Sequence, residues 1–150
     1  MRRRRFLTAV SVFTIFSLMP AAEMASAAGN RLRANLSGDK EVGSPGDPDG
    51  TGVARIRLRP RAKRVCFRLT WNNISQPQAA HIHKGRRDAN GDVVVNLFLT
   101  PQSGNEASGC ENGVRRRLIR RIKKRPGRFY VNVHTEDYPA GAIRGQLRRT

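Results

Sequence analysis

Three histidines are the residues of this 150-residue chain best suited to chemistry, and two of them lie in the run Ala79-Ala80-His81-Ile82-His83. Successive side chains of an extended strand alternate faces, so His81 and His83 project from one side and Ala80 and Ile82 from the other. The third, His134, lies in Tyr130-Val131-Asn132-Val133-His134-Thr135, again a strand pattern. A His-x-His pair on a strand sets two imidazoles near the spacing that one copper or zinc ion requires, and a distant third histidine completes the face. Asp88, Asp92, Glu136 and Asp137 are available as further oxygen ligands, but nothing in the sequence places them. The alternative is structural. The same rings then donate to backbone carbonyls across strands, with Asn132 and Gln146 in one network. Both readings stay open at this level, and both require His134 to meet the other two.

Other chemistries find little support. Cys66 and Cys110 are the only cysteines, with no Cys-x-x-Cys, so thiolate metal sites and thiol redox catalysis are not expected. An even pair in an exported chain predicts a disulfide. Closing a loop of about 45 residues, it restricts the unfolded chain by about 4 kcal/mol in the chain-entropy model. The sequence contains no Gly-x-Ser-x-Gly elbow and no phosphate-cradling glycine loop before a helix. Its acidic residues fall mostly in turns and place no carboxylate pair for glycoside chemistry. Asp39, Glu41, Asp47 and Asp49 cluster near Gly43–Gly52, yet their spacing matches no calcium loop, and such residues are common turn material. A non-catalytic domain is therefore expected.

The elements that must position the histidines are short strands. Leu32, Ala34 and Leu36 share one face of a first strand, and Ala54, Ile56 and Leu58 alternate with Arg55, Arg57 and Arg59 in a second. After a turn at Pro60-Arg61-Ala62-Lys63, the residues Val65, Phe67, Leu69 and Trp71 line one face of a third strand, antiparallel to the second. Cys66 falls on the opposite face, which predicts that a loop carrying Cys110 is stapled over the sheet. Val93–Leu99 is apolar enough for a central strand, and Thr100–Gly113 reads as a long polar loop. Val114–Lys124 is the one helical stretch: Val114, Leu118 and Ile122 recur every four residues beside Ile119, basic residues fill the rest, Asn112 is the candidate cap, and Pro126-Gly127 ends it. Two closing strands, 128–134 and 142–147, flank the turn Tyr138-Pro139-Ala140-Gly141. The expectation is an all-β Greek-key β-sandwich or small barrel of seven or eight antiparallel strands with one short basic helix. Arg144 in the last strand is expected to pair with Glu136 or Asp137.

Ahead of this domain, Arg2–Arg5, an apolar run from Phe6 to Met19 and Ala25-Ser26-Ala27 fit a cleaved secretory signal peptide over residues 1–27, leaving a domain of residues 28–150. Arg3-Arg4-Arg5-Phe6-Leu7 also fits a twin-arginine export signal. Export places the mature chain in the extracytoplasmic space, and no later stretch is apolar enough to cross a membrane. The whole chain carries a net charge of +18. Such a surplus favours anionic partners, here cell-envelope polymers or acidic extracellular proteins. Arg115, Arg116, Arg117, Arg120, Arg121 and Lys124 on the helix are the candidate patch. Specific nucleic-acid recognition is not expected, because aromatic side chains for base stacking are scarce and the chain is exported.

Three phrases together resemble the hallmark motifs of the CHRD domain, the module named for chordin, which also stands alone in exported bacterial proteins. They are Ala79-Ala80-His81-Ile82-His83, Tyr130-Val131-Asn132-Val133-His134-Thr135, and Tyr138 through Leu147. Leu36-Ser37-Gly38, then Glu41-Val42 and Gly50-Thr51-Gly52, are similar to the opening of that domain. The resemblance runs from about Leu32 to Leu147. Where the family often has paired prolines after glutamate-valine, this chain has Gly43-Ser44-Pro45. The resemblance implies an extracellular binding or structural module and supplies no catalytic residue. Copper-zinc superoxide dismutases look similar in their β-sandwich, their His-x-His copper pair and a late segment like Gly141-Ala142-Ile143-Arg144-Gly145. Three histidines are too few for their bimetallic cluster. The expected function is thus an exported, non-catalytic binding or structural domain, with a mononuclear three-histidine copper or zinc protein as the alternative.

Overall fold

The computed structural model describes residues 29–150, so the signal sequence expected over residues 1–27 lies outside the described residues. Alternation of apolar and polar side chains builds β1 (Arg31–Ser37), β2 (Thr51–Arg59), β3 (Arg64–Asn72), β4 (Pro77–Lys84), β5 (Val93–Phe98), β6 (Glu106–Glu111), β7 (Phe129–Thr135), β8 (Ile143–Gln146) and the two-residue β9 (Arg148–Arg149). Among the described residues one α-helix, α1 (Arg116–Lys124), lies between β6 and β7.

All pairings are antiparallel, in the order β5-β4-β7-β8-β1-β2-β3-β6, with β9 paired to β1. The sheet rolls until its two ends approach, and the rings of Phe67 on β3 and Phe98 on β5 come within 6.4 Å across the seam. The result is a nearly closed all-β barrel. Strands β3 to β6 form a Greek key, in which β4, β5 and β6 follow one another and return β6 to the side of β3. Inward positions supply the core: Leu32, Ile56, Leu58, Val65, Leu69, Ile82, Val131 and Ile143 are each at most 2% exposed. At about 25 cal/mol per Å² of apolar surface removed from water, this lining is the main force holding the barrel shut.

Three expectations change in detail. Cys110 sits on a strand, because the presumed polar loop contains β6. Cys66 and Cys110 face each other directly across the β3–β6 pair and are bonded. The disulfide thus ties an edge strand to the sheet instead of a loop over it. Strand β5 lies at one end of the sheet path and leaves Val93 47% exposed, so its apolar run belongs to the seam and not to the centre. The helix begins two residues later than the periodicity suggests. Arg115 stands at its N-cap without a side-chain cap bond. Gly113, at φ 73°, turns the chain after Asn112 and takes that side chain out of capping position. The apolar stripe still functions as expected, since Ile119 and Ile122 are fully buried in the core.

Candidate metal centre

β7 is buried on both faces, which is unusual for a strand in a one-layer barrel wall. Its inward residues meet the core. Its outward residues Tyr130 and Asn132 lie under two loops, 41–50 and 85–92, and His134 lies beside the turn at Pro139. Register places the neighbours: Ala79 of β4 opposes His134, His81 opposes Asn132, and His83 opposes Tyr130. On the other side Arg144 of β8 opposes Asn132, and Gln146 opposes Tyr130. The side-chain alternation expected for β4 holds. Ala80 and Ile82 point into the core at 0% exposure while both histidines point out.

This register brings His134 to the other two. Ring centroids lie 5.0 Å apart for His81 and His134, 5.6 Å for His81 and His83, and 6.2 Å for His83 and His134. One nitrogen from each ring lies within 4.8 Å of the other two. Among the described residues this is the one such grouping of three or more histidine, cysteine or acidic side chains. Bonds of about 2.0–2.1 Å to a common ion hold nitrogens roughly 3.3–3.5 Å apart, so ligation asks for a small inward turn of the rings.

Two rings have their tautomer set by the fold. His83 Nδ1 is 2.9 Å from the carbonyl of Gly91, and His134 Nδ1 is 3.0 Å from the carbonyl of Pro139. A carbonyl only accepts, so each Nδ1 carries the proton and donates it, which leaves the Nε2 lone pair free. Those Nε2 atoms, and Nδ1 of His81, are buried without a hydrogen-bond partner in the protein. Because the ring of His81 is tied by no such bond, it is the one free to adjust. Gly91 can approach His83 this closely only because it lacks a Cβ, which would collide with the Lys84 carbonyl.

Electrostatics keep all three rings neutral. Burial pushes the His81 pKa down to about 4, and the neighbouring His134 and His83 add to the effect. His83 is lowered chiefly by burial and further by Arg144, against the Gly91 carbonyl. For His134, burial again outweighs the Pro139 carbonyl. Neutral imidazole is the ligating form. A shallow groove lined by Gln78, His81, His134, Thr135 and Glu136 reaches the cluster from solvent.

The supporting layer is polar and buried. Arg144, 1% exposed, does not pair with Glu136 or Asp137. Its guanidinium donates to Asn90 Oδ1 at 2.7 Å and to the carbonyls of Ala89 (2.8 Å), Arg86 (3.0 Å) and Arg87 (3.3 Å). It also lies 3.5 Å from the centroid of the Tyr130 ring, whose other neighbour, His83, stacks on it at 4.8 Å. Asn90 in turn donates to the Val42 carbonyl at 2.7 Å, joining the two covering loops. Asn132 donates to Glu41, whose carboxyl is pushed up to about 7 by burial against the opposing pull of Arg144. Gln146 donates to the carbonyls of Gly85, Gly127 and Phe129 and to no histidine. Sequence reasoning did not find Tyr130, Glu41 or the clamp at Arg144. The available signal was the bulk of the outward side chains on β7 and β8: large polar groups alternating with core residues need cover.

The remaining candidates fall elsewhere. Arg116, Arg117, Arg120, Arg121 and Lys124 surround one shallow depression on α1, with Arg115 exposed just before it, and none lines the histidine groove. Of the acidic candidates only Glu136 reaches that groove. Neither Asp88, Asp92 and Asp137 nor the Asp39–Asp49 cluster joins a ligand grouping.

The family model for the CHRD domain matches residues 32–147. The chain belongs to the CHRD family. That match spans β1 to the end of β8, so the histidine cluster, both covering loops and the disulfide all belong to the CHRD domain. No curated protein and no solved structure matches the chain.

Proposed function

We propose that this CHRD domain is a non-catalytic module of the extracytoplasmic space that binds one copper or zinc ion through His81, His83 and His134. One observation carries the proposal: three neutral imidazoles converge on the outer face of β4 and β7, each with a buried nitrogen that has no other partner. Structural histidines are expected to use both ring nitrogens or to leave the second in water. Here His83 and His134 spend one nitrogen on a carbonyl and leave the other buried without a partner, the arrangement in which a second-layer acceptor orients a metal ligand. An all-nitrogen donor set without thiolate or thioether suits copper(II) or zinc. The disulfide and the extracellular character of CHRD domains support the location.

Calorimetric titration of the disulfide-bonded protein with zinc and with copper(II) tests this. The expected result is one site per chain, weakened about 100-fold or more in His83→Ala and in His134→Ala. Heat that reports only weak surface binding, unchanged in both variants, ends the metal reading.

A further inference from the structure

The barrel carries a second arrangement that the histidine site does not use. On the outer face of β9, β1, β2 and β3, strand register sets Arg148 opposite Arg33, Arg33 opposite Arg55, and Arg55 opposite Arg68. Four arginines thus form one row across four adjacent strands, at about 4.8 Å per step. The next rows add Arg31 opposite Arg57, and Arg59 opposite Arg64. Like charges directly opposite each other destabilise a sheet. Within these strands nothing offsets this, because no outward position of β1, β2 or β3 is acidic. Among the described residues the one ion pair is Arg68 with Glu106 at 2.7 Å, at the far end of the row, with both side chains at least half exposed. A fold that lines up guanidinium groups at an energetic cost supplies a preformed ladder for a linear anion.

We propose that this row is the docking face for a linear phosphodiester polymer of the polyol-phosphate type. All the cations of the row are arginines, whose planar fork matches the two non-bridging oxygens of a phosphodiester. Phosphodiesters lie within the polymer backbone itself, and the flexible polyol between them lets successive phosphates adjust to the positions of the arginines. Carboxylates carried on rigid sugar rings are held at fixed positions and cannot adjust in this way. No aromatic side chain projects from the outward positions of β1–β3, so there is no platform on which bases stack, and recognition falls on the phosphates alone. The Cys66–Cys110 bridge lies in the row beside Arg57 and holds β6 to β3, which keeps the face rigid. The face is built from β9, β1, β2 and β3, separate from the β4–β7 histidines, and this proposal stands or falls independently of the metal.

The test measures binding of a synthetic glycerol-phosphate oligomer to the disulfide-bonded protein over a range of salt concentrations. Polygalacturonate and dextran sulfate of matched charge are the comparison polymers. The phosphate oligomer is expected to bind at least about tenfold more tightly than either. Arg33→Gln with Arg55→Gln should weaken it about tenfold and lower the salt slope by roughly one per arginine removed. Arg116→Glu with Arg120→Glu changes the net charge twice as much as that pair of variants, yet should leave binding within about twofold. If the helix variant loses as much as the sheet variant, bulk charge is responsible and the row is not a site. Equal or tighter binding of either comparison polymer overturns the phosphodiester assignment, and no binding of the phosphate oligomer overturns the proposal altogether.

Discussion

Outward from β4, β7 and β8 stand His81, His83, Tyr130, Asn132, His134 and Arg144; outward from β9, β1, β2 and β3 stand Arg148, Arg33, Arg55 and Arg68. Both sets occupy the same face of the same pleat, yet their physical states are opposite. In the first, His83, Tyr130, Asn132 and Arg144 lie beneath the 41–50 and 85–92 loops, where Arg144 is 1% exposed and meets four acceptors, while His81 and His134 border the groove beside them. The second is open to water apart from the partly covered Arg33. Cover is the difference. Under the loops a hydrogen bond left unmade costs a full desolvation penalty, so unmatched groups carry weight there: the three imidazole nitrogens, and with them Glu41 Oε1 and Asn132 Oδ1. In the open, water completes the hydrogen bonding of the guanidinium groups, with Asn35 accepting from Arg33 and Glu106 from Arg68, and the main cost is mutual repulsion screened by salt.

The largest effect that sharpens this contrast is expected from Arg144→Leu. It strips three carbonyls and the Asn90 side chain of their donor and releases the loop that presents Gly91 to His83. Denaturant unfolding should show a loss of about 3–4 kcal/mol. A loss below about 1 kcal/mol would mean that the covered face is held by packing alone.

The pH dependence of the metal-free protein comes next. Folded pKa values of the three histidines lie below the ordinary 6.5, that of His81 at about 4. As pH falls, the unfolded chain takes up these protons first. Their contribution is therefore complete above about pH 6.5 and is lost as pH falls toward 4. Glu41 has the opposite sign. Its folded pKa is raised from 4.5 to about 7, so its contribution is complete below about 4.5 and is lost as pH rises through 7. The two trends oppose each other between pH 4.5 and 6.5 and flatten the wild-type profile. Glu41→Gln should remove the alkaline loss and leave stability rising steadily with pH. Denaturation midpoints from pH 4 to 8 read this directly, and a variant profile parallel to wild type contradicts it.

The smallest effect belongs to the open face. Arg55→Thr removes a charge flanked by Arg33 and Arg68 without uncovering the core. Its stability should change by no more than about 0.5 kcal/mol, in the stabilising direction at low salt. Unchanged shape of the pH profile in this variant, measured alongside Glu41→Gln, confirms that titration belongs to the covered face. A loss above about 1 kcal/mol shows that the arginine row contributes to the fold.

Much of the barrel is written in period-two alternation. Leu32-Ala34-Leu36, Ala54-Ile56-Leu58 and Val65-Phe67-Leu69-Trp71 declare their inner faces, and the same rule places His81 beside His83 and Arg55 beside Arg57 on outer ones. The even pair of cysteines points to its bridge. Alternation misses β6, because Glu106-Ala107-Ser108-Gly109-Cys110-Glu111 offers only one buried apolar residue, Ala107; its pairing to β3 makes it a strand. It also assigns Arg144 to the wrong partner, since a strand pattern says nothing about which loop lies above it.

The sequence by itself therefore determined which side chains share a strand face, because the pleat fixes that locally, two residues at a time. Only the tertiary structure decided that β7 lies beside β4, that Gly91 and Pro139 hold protons on two imidazoles, and that Arg148, Arg33, Arg55 and Arg68 align. Those facts depend on register between segments tens of residues apart. Register is set by the closure of the whole core, to which no single strand holds the key.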